Sequence, residues 1–373
     1  MTEHSVDYEA IVVGAGFAGL RMLHDLRELG LSAKVLDGGS DVGGTWYWNR
    51  YPGARTDSEA WYYCFSFSKE LLADWEWSQR YPSQPEVLSY LRHVADRFDL
   101  RKDIQFETWV VSATWDEPTS TWTICTDKGQ SLTCRYFISA AGPLSKPYLP
   151  DIPGLDRFRG EWYMTARWPK ERVDFTGKRV GLIGTGATGV QIGPVVALSA
   201  GELTVFQRTA NYVLPARNRP LDEPERVAIK ADYDAIWARV REQYYAMDLG
   251  MTDRSAREMS HEERQAVLER MWEIGGFRYL FQTFNDLWLD AESNEIAAEF
   301  IRNKIRAIVK DPVTAELLCP KNHPLASKRP PCGHGYYETF NRNNVTSSTS
   351  ATTRSGRSPR PVCARQPTPT SWT

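Results

Sequence analysis

Residues 10–19 read Ala-Ile-Val-Val-Gly-Ala-Gly-Phe-Ala-Gly, a short apolar run that leads directly into a glycine-rich turn. The three glycines of the turn are Gly14, Gly16 and Gly19. An apolar run of this length is typical of a buried parallel strand, and leucines at three-residue spacing from Leu20 to Leu29 predict a helix after the turn. In this arrangement the glycines permit a tight turn, let a pyrophosphate approach the backbone and let the helix pack closely on the strand. The stretch therefore predicts a dinucleotide-binding α/β unit.

The next predicted strand supports this interpretation. It covers Lys34–Asp37 and ends in an acid 18 residues after Gly19. At this position a carboxylate can accept hydrogen bonds from a ribose diol. Asp37 is therefore a candidate ligand of the same nucleotide.

A second unit of the same kind begins at residue 179. An apolar run, Arg179–Ile183, leads into Gly184-Thr-Gly-Ala-Thr-Gly189, and Leu203–Phe206 is predicted to be the following strand. This strand is followed by Arg208 instead of an acid, and a guanidinium matches a 2′-phosphate. The second nucleotide should be NADPH rather than NADH, unless Arg208 is an ordinary surface arginine. The predicted fold class is α/β, with two Rossmann-like, doubly wound nucleotide-binding domains.

Composition narrows the possible partners. A chain of 373 residues with 42% hydrophobic residues suggests two to three globular domains. A net charge of -2 and a pI near 6.4 do not predict binding to nucleic acid or to an anionic membrane. The six cysteines form no C-x-x-C pair, which argues against a metal site and against a disulfide reductase. The first residues lack a signal-peptide core and no apolar run reaches about 18 residues, so we expect a cytoplasmic protein.

The segment between the two turns carries a family fingerprint. Residues 158–169 read Phe-Arg-Gly-Glu-Trp-Tyr-Met-Thr-Ala-Arg-Trp-Pro. This resembles the pattern F-x-G-x-x-x-H-x-x-x-W-P of type I Baeyer-Villiger monooxygenases, with Met164 in place of the family's histidine. The resemblance implies an enzyme that uses FAD, NADPH and O2 to insert one oxygen atom beside a ketone carbonyl, through a C4a-peroxyflavin, giving an ester or lactone. Because Asp37 would repel a 2′-phosphate and Arg208 would attract one, FAD is assigned to the first turn and NADPH to the second.

The resemblance also implies which residues contact the cofactors. Residues 43–57 are rich in glycine and aromatic residues, predict a loop without regular structure, and are similar to the family's flavin-covering loop; an ordinary surface loop is the alternative. By resemblance, FAD would be lined by Thr45, Trp46, Asp57, Tyr63 and Val110, in addition to the first turn. NADPH would be contacted by Arg55, Thr56, Thr185, Gly186, Ala187, Thr188, Gly189, Gln191, Arg208, Thr209 and Lys328.

Arg329 corresponds by resemblance to the family's catalytic arginine. It lies in Ser327-Lys-Arg-Pro-Pro331, which precedes a Gly-Tyr-Tyr-Glu sequence similar to the family's active-site segment. A permanently charged guanidinium can hold both a peroxide anion and the tetrahedral adduct formed with a ketone. Asp57 would orient this arginine. The alternative is that Arg329 is one more surface base.

We predict five segments along the chain. They are an incomplete FAD-binding domain (1–145), a linker (146–177), an NADPH-binding domain (178–221 and 311–345), a helical insertion (222–310) and a disordered tail (346–373). The insertion carries a capping box at Ser260–Glu263. The tail is rich in Ser, Thr, Pro and Arg, and the abrupt end of the family resemblance before it looks like a reading-frame shift. On this interpretation we expect exposed apolar surface on the first domain and weak flavin retention.

Two rival functions remain open at the sequence level. A related flavin-containing monooxygenase would oxygenate nitrogen or sulfur instead of a ketone. An inactive remnant would bind nucleotides only, and Met164 together with the unusual tail favours that alternative.

Overall fold

A computed structural model describes residues 5–349 of the chain. The strands are β1 (Tyr8–Val13), β2 (Ala33–Leu36), β3 (Ile104–Gln105), β4 (Val110–Asp116), β5 (Thr121–Thr126), β6 (Ser131–Ser139), β7 (Arg179–Ile183), β8 (Glu202–Gln207), β9 (Leu214–Pro215), β10 (Cys332–Gly333) and β11 (Val345–Thr349). The α-helices are α1 (Phe17–Glu28), α2 (Thr45–Trp48), α3 (Lys69–Asp74), α4 (Gln84–Arg97), α5 (Ala187–Val196), α6 (Glu223–Glu242), α7 (His261–Ile274), α8 (Arg278–Phe281), α9 (Ala291–Ile308), α10 (Pro312–Leu318) and α11 (Tyr336–Thr339).

These elements form two compact units, each built from several segments of the chain. The first unit contains residues 5–50, 84–149 and 164–170, and the second contains residues 51–83, 150–163 and 171–349. This division differs from the predicted boundaries in two places. Residues 51–83 belong to the second unit instead of the FAD domain, because their backbone pairs with residues beyond 200, as in the bond from Arg80 N to Arg219 O at 3.0 Å. The predicted linker (146–177) is divided between the two units, which change after residues 149, 163 and 170.

The first unit is organised around one six-stranded sheet in the order β3-β2-β1-β6-β5-β4. The first four strands are parallel, and β5 and β4 extend the sheet as an antiparallel meander. A buried cluster of Ile11, Leu36, Ile124 and Cys134 joins the parallel part to the meander. The predicted strand, turn and helix at residues 10–30 are also confirmed.

Large apolar side chains remain exposed on the strands of this sheet. Val111 is 64% exposed, Tyr136 55% and Trp115 40%. Exposed apolar surface on the first domain was expected from the sequence. Val111 and Trp115 lie on β4 and Tyr136 lies on β6, with β5 between these two strands. Isolated apolar side chains are common on protein surfaces.

The second unit contains a parallel sheet in the order β11-β8-β7, and its helix α5 follows β7. β11 pairs with the whole of β8, from Val345 opposite Leu203 to Thr349 opposite Gln207. The prediction that an unstructured tail begins at residue 346 is therefore wrong for residues 346–349. A strand at the edge of a sheet is held by backbone hydrogen bonds, so a polar Thr-Ser-Ser-Thr sequence can form one without an apolar pattern. Residues 350–373 of the predicted tail lie outside the described residues.

Helices α6 to α9 lie in the predicted helical insertion (222–310), and α10 follows just beyond it. The capping box is present at the start of α7, where Ser260 accepts from the backbone of Glu263 and Glu263 accepts from the backbone of Ser260. α9 buries Ala297, Ile301 and Ile305 along one face, as the apolar spacing predicts.

One local prediction in the first unit is wrong. The stretch 43–57 contains the single helical turn α2, although we expected no regular structure there. The turn forms because Trp46 N and Trp48 N donate to the carbonyl groups of Gly43 and Gly44, so the glycines provide its start. No helix within residues 5–349 combines the length and the apolar composition needed to cross a membrane.

Candidate functional site

The first glycine-rich turn connects β1 to α1 at very short range. A Cβ atom at Gly19 would lie 1.7 Å from the carbonyl oxygen of Gly14, so only glycine allows the helix to start this close to the strand. Gly14 N donates to Leu36 O at 2.9 Å, which holds the turn against β2. The amino end of α1 is thereby fixed beside the carboxyl ends of β1 and β2, the place where α/β sheets bind phosphate groups.

Asp37 lies at the same edge of the sheet. Its two carboxylate oxygens accept hydrogen bonds at 2.6 Å from Ala15 N and Gly39 N, and the residue is buried. Burial raises the pKa of Asp37, although these two hydrogen bonds oppose the shift. Each carboxylate oxygen has a further acceptor position, so the residue fits the predicted contact with a ribose.

The second turn repeats this geometry at Gly184–Gly189. A Cβ atom at Gly189 would lie 2.2 Å from Gly184 O, whereas one at Gly186 would meet nothing within 4 Å. The open space at Gly186 fits the approach of a phosphate group. Thr185 Oγ1 donates to Thr209 O at 3.2 Å and so joins the turn to the segment that follows β8. The neighbouring Arg208 and the more distant Lys328 are both exposed, as charged ligands of a phosphate must be before binding.

The predicted catalytic pair is formed within the second unit. Arg329 Nη2 lies 3.3 Å from Asp57 Oδ2, and the side chains are 63% and 5% exposed, respectively. Most of the guanidinium therefore faces outward while its carboxylate partner is buried. Burial raises the pKa of Asp57 to about 6, and Arg329, a backbone hydrogen bond from Cys332 and Gln191 limit this rise. Above pH 6 the site is an ion pair whose cation is free to meet a negatively charged group.

The backbone around Arg329 is held by short-range constraints and by a neighbouring strand. Arg329 precedes Pro330 and Pro331, which restrict the backbone to extended conformations. Its carbonyl oxygen accepts from Asn211 Nδ2 at 3.2 Å. Pro331 O then accepts from Leu214 N at 2.9 Å, where β9 and β10 pair. The arginine thus projects from a fixed backbone rather than from a loop tip.

A buried amide contacts the other side of Asp57. Gln191, on α5, donates from Nε2 to Asp57 Oδ1 at 3.4 Å and to Arg55 O at 3.1 Å. Its Oε1 accepts from Tyr51 Oη at 2.9 Å. Sequence resemblance assigned Gln191 to the NADPH-binding turn, but in the structure its side chain is engaged with residues 51–57. Its predicted contact with NADPH stays a prediction.

A second set of contacts connects α2 to the linker within the first unit. The guanidinium carbon of Arg167 lies 4.2 Å from the centroid of the Trp48 ring, and Arg167 Nη2 donates to Ser145 O at 2.9 Å. Trp48 also packs against Trp109 with ring centroids 6.0 Å apart. The linker residues after Met164 are therefore held on the loop that was expected to cover the flavin.

The predicted flavin-lining residues are distributed over both units. Trp46 is buried, and its carbonyl oxygen accepts a hydrogen bond from Gln84 Nε2. Thr45 and Val110 are partly buried and belong to the first unit. Asp57 and Tyr63 belong to the second unit, as do Arg55 and Thr56, which were predicted to contact NADPH. Within each unit the structure brings together Asp57 with Arg329, Thr185 with Thr209, and the first turn with Asp37.

A buried charge cluster close to Asp57 in sequence was missed. Glu59 is 1% exposed and accepts from Arg80 Nη2 at 3.0 Å, from Arg278 and from the hydroxyl group of Tyr62. Arg80 also donates to Ile274 O at 2.7 Å. Arg278 lies 219 residues beyond Glu59, and no local pattern could have indicated this pairing. The cluster fastens residues 59–80 to α7 and α8, and with them the segment that carries Asp57.

Comparison with known proteins identifies the family of the chain. The family model described as flavin-binding monooxygenase-like matches residues 8–263. A phenazine N-monooxygenase from Lysobacter antibioticus is 48% identical over 340 residues, which cover 91% of this chain and 62% of that protein. A Baeyer-Villiger monooxygenase from Pseudooceanicola batsensis is 47% identical over 342 residues, with the same two shares. The crystal structure of OTEMO in complex with FAD and NADP is 42% identical, has a TM-score of 0.90, and is matched over 93% of this chain and 66% of its own.

These similarities have a defined extent. The chain spans 62% of the length of the two relatives. The residues matched by the family model include both glycine-rich turns. The resemblance to Baeyer-Villiger monooxygenases and the α/β fold class are confirmed. The family model covers well over half of the chain, so the chain belongs to the flavin-binding monooxygenase-like family.

Proposed function

We propose that the chain acts as an FAD- and NADPH-dependent Baeyer-Villiger monooxygenase that inserts one oxygen atom of O2 beside a ketone carbonyl to give an ester or lactone. The observation that carries the proposal is the ion pair of Arg329 with the buried Asp57. Its support comes from the similarity to a Baeyer-Villiger monooxygenase at 47% identity. The substrate proposed is a small ketone.

The donor sets favour FAD at the first turn and NADPH at the second. Asp37 presents a buried carboxylate at the first turn, which suits a ribose diol and disfavours a 2′-phosphate. Arg208 presents an exposed cation at the second turn, with Lys328 as a further cation. When bound, the flavin would supply electron transfer and oxygen activation. Further proposed contacts are Thr45, Trp46, Tyr63 and Val110 for FAD, and Arg55, Thr56, Thr185, Ala187, Thr188 and Thr209 for NADPH.

Arg329 would stabilise negative charge as oxygen transfer proceeds. Its guanidinium carries a permanent charge and is 63% exposed, so it can approach an anionic oxygen without losing Asp57. Asp57 restricts the rotation of this long side chain and keeps the charge at one position. A fixed cation of this kind lowers the barrier because it need not reorganise when the charge develops.

A second candidate function is oxygenation of a ring nitrogen. It is favoured by the similarity to a phenazine N-monooxygenase at 48% identity. The two reactions make different demands on Arg329. Attack on a ketone passes through a negatively charged tetrahedral adduct that a cation stabilises, whereas attack by a nitrogen lone pair forms no such adduct.

The proposal is tested with the purified chain, added FAD and NADPH, and ¹⁸O2. Visible absorption first shows whether flavin binds, and its bleaching by NADPH without air shows hydride transfer. A cyclic ketone and phenazine are then supplied separately, and mass spectrometry identifies labelled ester or labelled N-oxide. We expect labelled ester from the parent chain. N-oxide without ester would favour the second candidate.

The Arg329→Ala variant tests whether ester formation needs the ion pair of Arg329 with Asp57. We expect it to keep flavin reduction by NADPH and to lose ester formation. Arg254→Ala is the matched control, because Arg254 is a half-exposed arginine paired with Glu263 and takes no part in the site. Ester formed by Arg329→Ala at a rate near that of the parent would contradict the assignment.

A further inference from the structure

The amide nitrogen and the carbonyl oxygen of the Gln191 side chain are both hydrogen-bonded to residues within 51–57. Its carbonyl oxygen accepts from Tyr51 Oη at 2.9 Å, and its amide nitrogen donates to Arg55 O at 3.1 Å and to Asp57 Oδ1 at 3.4 Å. Gln191 and Tyr51 are both buried. A buried glutamine with every group paired has one orientation and not two.

Two acceptors on one side of the amide fix which orientation that is. If the amide were reversed, its oxygen would face Asp57 Oδ1 and Arg55 O, and acceptors would repel each other. Asp57 and the Arg55 carbonyl group therefore exclude the reversed amide. The hydroxyl group of Tyr51 donates to the glutamine oxygen and so supports the orientation that remains.

The hydrogen bond from Gln191 affects Arg329 because the two oxygens of Asp57 have different neighbours. Oδ1 is the oxygen held by Gln191, whereas Oδ2 is buried and accepts no hydrogen bond from the described residues. Oδ2 is also the oxygen that lies 3.3 Å from Arg329 Nη2. A donor on one oxygen thus leaves the other oxygen to the guanidinium.

We propose that Gln191, held by Tyr51, is a positioning residue that turns the Asp57 carboxylate so that Oδ2 faces Arg329. The part of this inference that concerns the reaction rests on the proposed function, but the effect on Asp57 does not. Neither residue needs to touch a substrate for this role.

The surroundings of Asp57 give the expected direction of change. The charged or titratable groups that influence it are Arg329, the buried thiol group of Cys332 and the phenol of Tyr51. Burial raises the pKa of Asp57 to about 6, and the hydrogen bond from Gln191 is one of the contacts that oppose this rise. Without the Gln191 donor, fewer contacts oppose the effect of burial on the pKa of Asp57, so this pKa should rise further. Because the contact is long, we expect its removal to shift the midpoint by about one pH unit.

The test uses the full chain with the side-chain carboxyl carbons of aspartate labelled with ¹³C. The Asp57 signal is assigned by its loss in Asp57→Asn, and its chemical shift is followed against pH by NMR. Gln191→Met removes the donor at similar length, and Tyr51→Phe removes only the hydroxyl group. Thr283→Val is the control, because it removes one buried hydrogen bond in the same unit, to Tyr279 O, without contact with Asp57.

We expect the titration midpoint of Asp57 to be near pH 6 in the parent and in Thr283→Val, and to rise by about one pH unit in Gln191→Met. Tyr51→Phe should shift the midpoint in the same direction, and the double variant should shift it no further than Gln191→Met alone, because Tyr51 acts through Gln191. An unchanged midpoint in Gln191→Met would overturn the inference. Additive shifts in the double variant would overturn the part assigned to Tyr51.

A second measurement separates this inference from the proposed function. The acidic limb of the pH profile for ester formation should move upward with the Asp57 midpoint in Gln191→Met. A lower rate with an unmoved limb, despite a moved midpoint, would show that the orientation of Asp57 does not govern the reaction. If the parent forms no ester, the proposed function fails, and the carboxyl titration still decides whether Gln191 positions Asp57.

Discussion

Replacing Glu59 by glutamine should destabilise the second unit strongly. Glu59 is 1% exposed, and its carboxylate accepts from Arg80, Arg278 and Tyr62. Glutamine keeps the size but has one acceptor oxygen and presents an amide NH2 group, a donor, to a neighbouring guanidinium, which is also a donor. Breaking a buried ion pair by removing one partner costs about 3–5 kcal/mol. Because the Arg278 side chain is 19% exposed and can reach water, we expect the lower end, about 3 kcal/mol.

Urea unfolding measures this loss. With a slope of about 2 kcal/mol per molar urea, about 3 kcal/mol corresponds to a midpoint lower by about 1.5 M. Hydrogen exchange of peptides from residues 59–81 and 272–281 assigns the loss to the second unit. The control is Asp234→Asn, because Asp234 and its partner Lys69 have side chains 84% and 80% exposed and such pairs contribute little. Its midpoint should match that of the parent.

The pH dependence of the stability difference between the parent and Glu59→Gln gives a further check on the role of the Glu59 carboxylate. Burial acts to raise the pKa of Glu59, but the charges of Arg278 and Arg80 and the hydrogen bonds from Tyr62 and Arg80 outweigh it, so the pKa lies below the ordinary value of 4.5. A lowered pKa stabilises the fold above 4.5, and this stabilisation is lost as the pH falls from 4.5 through the lower folded value. The difference between the parent and Glu59→Gln should therefore narrow in acid. A midpoint shift below about 0.5 M, or a difference that persists at low pH, would refute the account.

Three further predictions concern the nucleotide sites and the linker. Arg208→Ala should raise the KM for NADPH about 10- to 100-fold and leave the KM for NADH unchanged, and equal effects on both would contradict a 2′-phosphate contact. Gly189→Ala should lower the melting temperature of the cofactor-free chain because its Cβ atom meets Gly184 O, whereas the matched Gly186→Ala should keep that temperature and weaken NADPH binding as measured by calorimetry. Met164→His should raise the ratio of ester formed to NADPH consumed, since a histidine supplies the hydrogen bonds that Met164 lacks. An unchanged ratio would show that residue 164 does not control coupling.

The parts of the fold that were predictable are those encoded by local spacing. The two glycine-rich turns, the helix after each and the capping box of α7 each depend on residues within about one element of one another. β11 could not be predicted, because the backbone of β8 holds it and its own side chains carry no pattern. The single turn α2 escaped prediction because flanking glycines and aromatic residues ordinarily indicate irregular structure.

The candidate site shows the same division between local and distant information. Asp57 and Arg329 were identified by family resemblance, and in the structure their side chains lie 3.3 Å apart. The contact of Gln191 with Asp57 joins residues 134 apart, and the local motif around Gln191 pointed instead to phosphate binding. A residue that belongs to one motif by position can serve another site through its side chain. Such double membership is visible only when the distant partner is known.

The path of the chain between the two units has a consequence for synthesis. The chain passes from one unit to the other after residues 50, 83, 149, 163 and 170. Glu59 therefore leaves the ribosome 219 residues before Arg278, a delay of about 10–40 s at 5–20 residues per second. During that interval a carboxylate destined for burial stays hydrated, and the nascent segment 51–83 is available to chaperones or to a neighbouring nascent chain. Slowing translation before residue 278 should therefore lower the yield of folded protein more than slowing it before residue 50.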